Sequence, residues 1–208
     1  MVEGAQTEGR AEGPWWRRVA AGVRVRRARR ETALALYAAV VTRARDPSFY
    51  AGLGVPDTRE GRLEMVLLHA ILAVRRLQAE GLPGRRLSQA LFDLMFADID
   101  RLMREWGVGD LSVGKHVKRV AQTFYARAGA IEPMLAHGDA AALVPVLARN
   151  AYGRDEAAGE PGARHLAGYL VAQAEALAAQ PGVDLLAGRL AWAPVPLDAA
   201  VSTDPAGA

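Results

Sequence analysis

The run GDLSVGK, positions 109 to 115, comes nearest in this sequence to a recognisable reaction centre. A G-x-x-x-x-G-K spacing lets backbone amides cradle a phosphate while the lysine reaches its outer oxygens. His116 then stands where a magnesium-holding hydroxyl is needed, and the run follows a segment rich in Phe, Met and Asp instead of a buried strand. The pattern predicts a two-glycine turn with Lys115 in the first turn of the next helix, and a nucleotide-dependent enzyme built on this turn is the alternative. Metal chemistry would draw on Glu64, His69, His116, Asp93, Asp98 and Asp100. Glu64 and His69 are five apart and point to different faces, and neither a histidine pair at i and i+4 nor a calcium loop is present. The carboxylates have no nucleophile or cradle beside them. No catalytic residue, metal site or cofactor is expected.

Charge carries the next signal. Lys and Arg exceed Asp and Glu by 26 − 23 = +3, yet residues 1 to 30 hold 8 Arg against 3 Glu. The remaining chain has 18 basic and 20 acidic groups, a net of −2, so the basicity belongs to an N-terminal arm. Trp15, Trp16, Arg17, Arg18, Arg24, Arg26, Arg27, Arg29 and Arg30 crowd a stretch without one acid. Trp16, Val19, Ala20 and Val23 fall at i, i+3, i+4 and i+7, so the arm, if helical, is amphipathic and cationic. Such a segment suits an anionic membrane surface, with the rings at the headgroup level, or the phosphates of ribosomal RNA. A solvated tail is the plainer reading, favoured by Gly22, and a transit peptide is at odds with Glu3, Glu8 and Glu12. No DNA partner is expected.

The rest of the chain has to position these groups. Its 208 residues, 51% hydrophobic and 24% charged, fit one ordered domain with a sizeable core. The absence of cysteine removes disulfides, thiolate metal sites and a cysteine nucleophile. The apolar stretch 65 to 74 is closed by Glu64 and Arg75, so no membrane span is expected, and no secretory signal is visible at the N-terminus. A helix is predicted over 31–45, stopped by Asp46 before Pro47. After a DPSFYAGLGVPD loop, Thr58 caps a helix that is apolar nearly all round and should lie centrally, ending at Gly81 and Pro83. Arg62, His69 and Arg76, seven apart, interrupt it as a polar line, and acids of the following helix, Asp93 among them, are its expected partners. His69 is expected to be a satisfied core histidine.

That following helix is predicted from a Ser88 cap to Trp106, with Trp106 inward. A further one, 113–128, turns Lys115, Lys118, Arg119 and Gln122 away from the core. Shorter helices are predicted at 139–150, 163–179 and 183–190, and disorder from Pro194 onward. The expected class is all-α: a basic arm over 1–30, a multi-helix domain over 31–192 and a disordered tail over 193–208.

Three segments together, FYAGLGVPDTREGRLEMVLLHAIL (49–72), LSQALFDLMFADIDRLMREWGVGDLSVGKHVKRVAQTFYARAGA (87–130) and the Tyr37 helix before them, resemble the ubiquinol–cytochrome c chaperone family over about residues 34 to 150. Leu63, Ile99 and His116 depart from its pattern. The resemblance implies a helical, non-enzymatic assembly factor that helps newly made cytochrome b into the cytochrome bc1 complex. It implies a place at the cytoplasmic face of a bacterial inner membrane, or the matrix side in a mitochondrion. Mitochondrial members act near the ribosomal exit with a small helical partner. On that footing Phe49, Tyr50, Leu53 and Val55 are candidates for client contact or for packing against the core. Lys115, Lys118, Arg119 and Arg127 are candidates for a basic contact face or a plain solvated one. Arg62, His69, Arg76 and Asp93 are expected to support the fold.

Overall fold

The apolar positions between Leu63 and Leu77 spread around a whole helical circumference, and a helix apolar on all sides has to be enclosed by others. In the computed structural model, which describes residues 15–107, 109–153 and 161–195, that helix is α2 (Arg59–Gln78). Around it pack α1 (Trp15–Ala44), α3 (Gly81–Glu105), α4 (Asp110–Ala136), α5 (Ala140–Ala151), α6 (Pro161–Ala179) and a short α7 (Gly182–Leu186). The described residues contain no strand, and the all-α class stands.

Local chemistry sets the helix starts. The Thr58 hydroxyl accepts the Gly61 N–H at 3.1 Å, as expected of an N-cap. A Cβ on Gly61 would lie 2.1 Å from the Pro56 carbonyl oxygen, so only glycine lets the proline turn fold onto this first turn. Ser88 is not a cap. The next helix starts seven residues earlier, because Pro83 falls in its first turn, where the missing N–H has no intrahelical partner to lose. Ser88 instead donates its hydroxyl to the Arg85 carbonyl at 2.9 Å. The α2–α3 connection is correspondingly tight, since a Cβ on Gly84 would meet the Leu77 carbonyl oxygen at 1.9 Å.

Three further boundaries differ from expectation. α1 shows no break at residue 30 and carries the arm from Trp15 as one continuous helix, Gly22 included. Its core face starts at Ala33 and recurs at Leu36, Val40 and Ala44. α4 continues two turns beyond Ala128 because Ile131 and Leu135 extend the buried stripe of Phe124, while Pro133 stays on the exposed side. Residues 193–195, expected in a disordered tail, are docked: the Ala193 N–H donates to Gln173 Oε1 at 3.0 Å and its carbonyl accepts from Gln173 Nε2 at 3.1 Å. Residues 1–14, 154–160 and 196–208 lie outside the described residues.

At the centre a buried polar chain links α1, α2, α6 and this docked segment. His69 is fully buried; its Nδ1–H donates to the Met65 carbonyl at 2.7 Å, which fixes the tautomer and leaves Nε2 to accept the Tyr169 hydroxyl at 2.8 Å. Tyr169 in turn accepts Arg43 Nε–H at 3.0 Å, and Arg43 also donates to Asp46 and to the Ala193 carbonyl. Phe49, from a π-helical turn over Ser48–Gly52, stands edge-on to both the His69 and Tyr169 rings, and Trp192 closes the far side of His69. Burial holds His69 down at about 4 and Tyr169 up at about 12, so both are neutral across the physiological range.

Candidate functional site

The polar line was drawn from spacing alone, and the structure takes it apart. His69 is the core histidine just described, but its partners are a backbone carbonyl and a tyrosine of α6, not acids of α3. Arg76 ties off the C-terminal end of α6, donating to the Leu177 and Gln180 carbonyls at 2.6 and 2.8 Å, and pairs with Glu80. Asp93 is exposed and accepts Gln89 Nε2 at 2.7 Å. Arg62 is exposed and makes a two-pronged ion pair with Asp57, its Nε at 2.5 Å and Nη2 at 3.0 Å from the two carboxylate oxygens. The guanidinium holds the Asp57 carboxyl below its usual range. Because this pair stands in solvent, Arg62→Ala should melt within experimental error of the wild type, reversing the expectation that it supports the fold; a calorimetric scan reads this directly.

Arg62 and Asp57 belong instead to the rim of an open groove. Its walls are Tyr37 and Val41 of α1, Leu63 and Val66 of α2, and Ile99 and Leu102 of α3, with Trp106 at the far end of α3. The groove has a volume of about 350 Å³. Across its mouth the Tyr37 hydroxyl donates to Asp98 Oδ2 at 2.9 Å, and burial, with the carboxylate next in weight, pushes the phenol well above its ordinary range. Trp106, expected inward, is 37% exposed because it sits at the C-cap of α3 with too little helix beyond to cover it; Arg59 lies over its ring at 5.0 Å. Beyond the Arg62–Asp57 ridge a second depression, about 300 Å³, is bounded by Arg45, Pro47, Tyr50 and Ala51. Among the described residues Arg45 and Arg59 have no carboxylate within ion-pair reach. The arrangement is a trough with apolar walls and two arginines on its rim that have no carboxylate partner among the described residues, suited to holding an apolar segment that carries an acid at its edge.

Most of the residues singled out from sequence lie elsewhere. Phe49, Leu53 and Val55 are buried in the core, the packing outcome of the two that the sequence allowed. Tyr50 lies in the second depression and not in the groove; its hydroxyl donates to the Ala44 carbonyl at 2.7 Å. Lys115, Lys118 and Arg119 are exposed on α4. Arg127 is not part of that face: it is 8% exposed and paired with the equally buried Glu64 of α2. The 109–115 run opens α4 with Gly109 at the N-cap, after a helix and not a strand. Among the described residues no three His, Asp or Glu converge as a metal site. Trp16, Arg17, Arg24, Arg26, Arg27 and Arg30 are exposed on α1 and Arg29 partly so; the side chains of Trp15 and Arg18 lie outside the described residues. Tyr37, Arg45, Arg59 and Trp106 were not singled out from sequence. Asp98, within LSQALFD-x-MF-x-D, was the available pointer.

Comparison with known proteins adds a second line of information. A family model described as "Ubiquinol-cytochrome C chaperone" matches residues 51–192. The chain is 29% identical over 170 residues to the human (Homo sapiens) ubiquinol-cytochrome c reductase complex assembly factor 1, covering 78% of this chain and 54% of that protein. To its mouse (Mus musculus) counterpart it is 29% identical over 114 residues, covering 53% of this chain and 39% of the relative. The chain thus spans about half the length, or less, of these curated relatives. Among solved structures, the crystal structure of the Cbp3 homolog from Brucella abortus superposes with a TM-score of 0.76 at 35% identity, covering 85% of this chain and 97% of that one.

Proposed function

We propose, from the premise that this chain belongs to the ubiquinol–cytochrome c chaperone family, that it is a non-enzymatic chaperone which binds newly made cytochrome b and promotes assembly of the cytochrome bc1 complex. It works at the cytoplasmic face of the inner membrane of a bacterium, close to the ribosomal exit. The observation that carries this reading is the α1–α2–α3 groove: apolar walls, an exposed Trp106, and Arg45 and Arg59, which have no carboxylate partner among the described residues. An apolar cytochrome b segment with an acidic flank satisfies all three at once. The exposed Lys115, Lys118 and Arg119 of α4 are the surface assigned to the ribosome.

A photo-crosslinking residue at Leu102 should trap cytochrome b during its synthesis, whereas one at Lys118 should not. Trp106→Ala should weaken capture by at least about tenfold, as expected of a central aromatic anchor. Deleting the gene should lower assembled bc1 and spare unrelated membrane complexes. Adducts at 118 without adducts at 102, or normal bc1 levels in the deletion, would overturn the reading.

A further inference from the structure

Between Trp15 and Glu31 α1 runs about 25 Å, and among its described side chains none is buried before Ala33. Trp16, Val19, Val23 and Val25 are 54 to 63% exposed along it. Trp16, Val19 and Val23, at i, i+3 and i+7, share one edge, and Arg26, Arg27 and Arg30 continue that same edge toward the domain. The stretch 15–30 has 7 Arg and no acid, and the first carboxylate after it, Glu31, is exposed and already paired with Arg27. No helix among the described residues is long and apolar enough to cross a membrane.

We propose that this edge of α1 docks the protein on an anionic phospholipid surface. Trp16, Val19 and Val23 enter the interfacial layer and Arg26, Arg27 and Arg30 meet the lipid phosphates. The inference rests on the reading that the protein works at a membrane. An RNA backbone would use the arginines but leave the aliphatic edge in water, and that edge, continuous with the cations, is what favours lipid. Tyr37, Val41 and Arg45, which line the groove, stand on the same helix, Val41 lying about 20 Å along its axis from Arg27. Lipid contact by one end of α1 therefore fixes the height of the groove above the bilayer.

The test is flotation of the full chain with vesicles of phosphatidylglycerol and phosphatidylcholine in equal parts, against phosphatidylcholine alone. The wild type should float with the anionic vesicles only and be released as salt is raised. R26E/R27E/R30E should lose binding by at least on the order of 100-fold, since removing each surface arginine is worth about a factor of five and each new glutamate adds repulsion. W16S/V19S/V23S should lose about tenfold or more at constant charge. All six positions are solvent-facing, so both variants should keep the wild-type melting profile, and a matched melt is the control. No flotation of the wild type at low salt overturns the proposal. So does binding that ignores the serine variant, above all if ribosomal RNA binds the wild type and the serine variant equally. The assay contains no cytochrome b, so its failure leaves the Leu102 crosslink intact, and failure of the crosslink leaves the vesicle result intact.

Discussion

Arg127→Ala should lower the unfolding free energy by about 3 to 5 kcal/mol, a drop in Tm on the order of 10 °C for a chain of this size. Arg127 of α4 and Glu64 of α2 pair with side chains only 9% and 7% exposed, so removing the guanidinium strands a carboxylate in the core. Burial already pushes the Glu64 carboxyl up despite its partner. Without Arg127 that pKa rises further, and the folded variant escapes the stranded charge by taking up a proton. A carboxyl whose folded pKa is raised binds protons more tightly in the folded state than in the unfolded one. The deficit relative to wild type should therefore be largest at neutral pH and shrink as pH falls through the carboxylate range. E64L/R127M, which removes both charges at similar volume, should recover most of the loss. Denaturant melts of the wild type and the two variants at two pH values would decide it. A single variant as stable as wild type at pH 7 would mean the pair is not buried in solution.

His69 sets a second, opposite pH dependence. Its folded pKa, about 4, lies below the ordinary value of 6.5, with burial the main cause and the nearby Arg43 charge adding to it. Between those values the unfolded chain holds a proton that the folded one refuses, so stability rises with pH across the window and falls as pH drops through it. The whole effect amounts to about 3 kcal/mol. H69Q cannot titrate; its stability should be flatter between pH 6.5 and 4, although lower at pH 7 because one amide group cannot span the Met65 carbonyl and the Tyr169 hydroxyl as the two ring nitrogens do. Equal pH slopes for the two proteins would remove His69 as the source.

The central place of α2 was legible because its apolar repeat covers every face, a property independent of partners. The fate of its polar residues was not, since a shared face says nothing about depth. Arg62, His69 and Arg76 lie nearly in line on one helix, but Arg62 is in the first turn beyond the covering helices, His69 is under α6, and Arg76 meets the end of α6. Only tertiary placement distinguishes them. The groove escaped for a similar reason: Tyr37, Leu63 and Leu102 belong to three helices, and each alone looks like an ordinary half-buried side chain. For the loop 49–55, packing and client contact predicted the same residue types, and the π-helical turn that drives Phe49 inward has no sequence signature. The arm was read as cationic and amphipathic if helical, and it is helical; its rigid union with the groove wall required seeing α1 unbroken.

The clasp at Ala193 has a consequence for timing. Arg43 and Ala193 are 150 positions apart, and Trp192 Nε1 reaches back 153 positions to the Ala39 carbonyl at 3.2 Å. During synthesis α1 and α2 can pair early, but the most distant acceptor of Arg43, the Ala193 carbonyl, and the ring that closes over His69 do not exist until the ribosome has passed residue 193. Contacts this distant in sequence come late and set the pace of folding. A nascent copy therefore closes His69 off from water only after residue 193 has been made and has folded back onto α1, so its core is among the last parts of the chain to be completed.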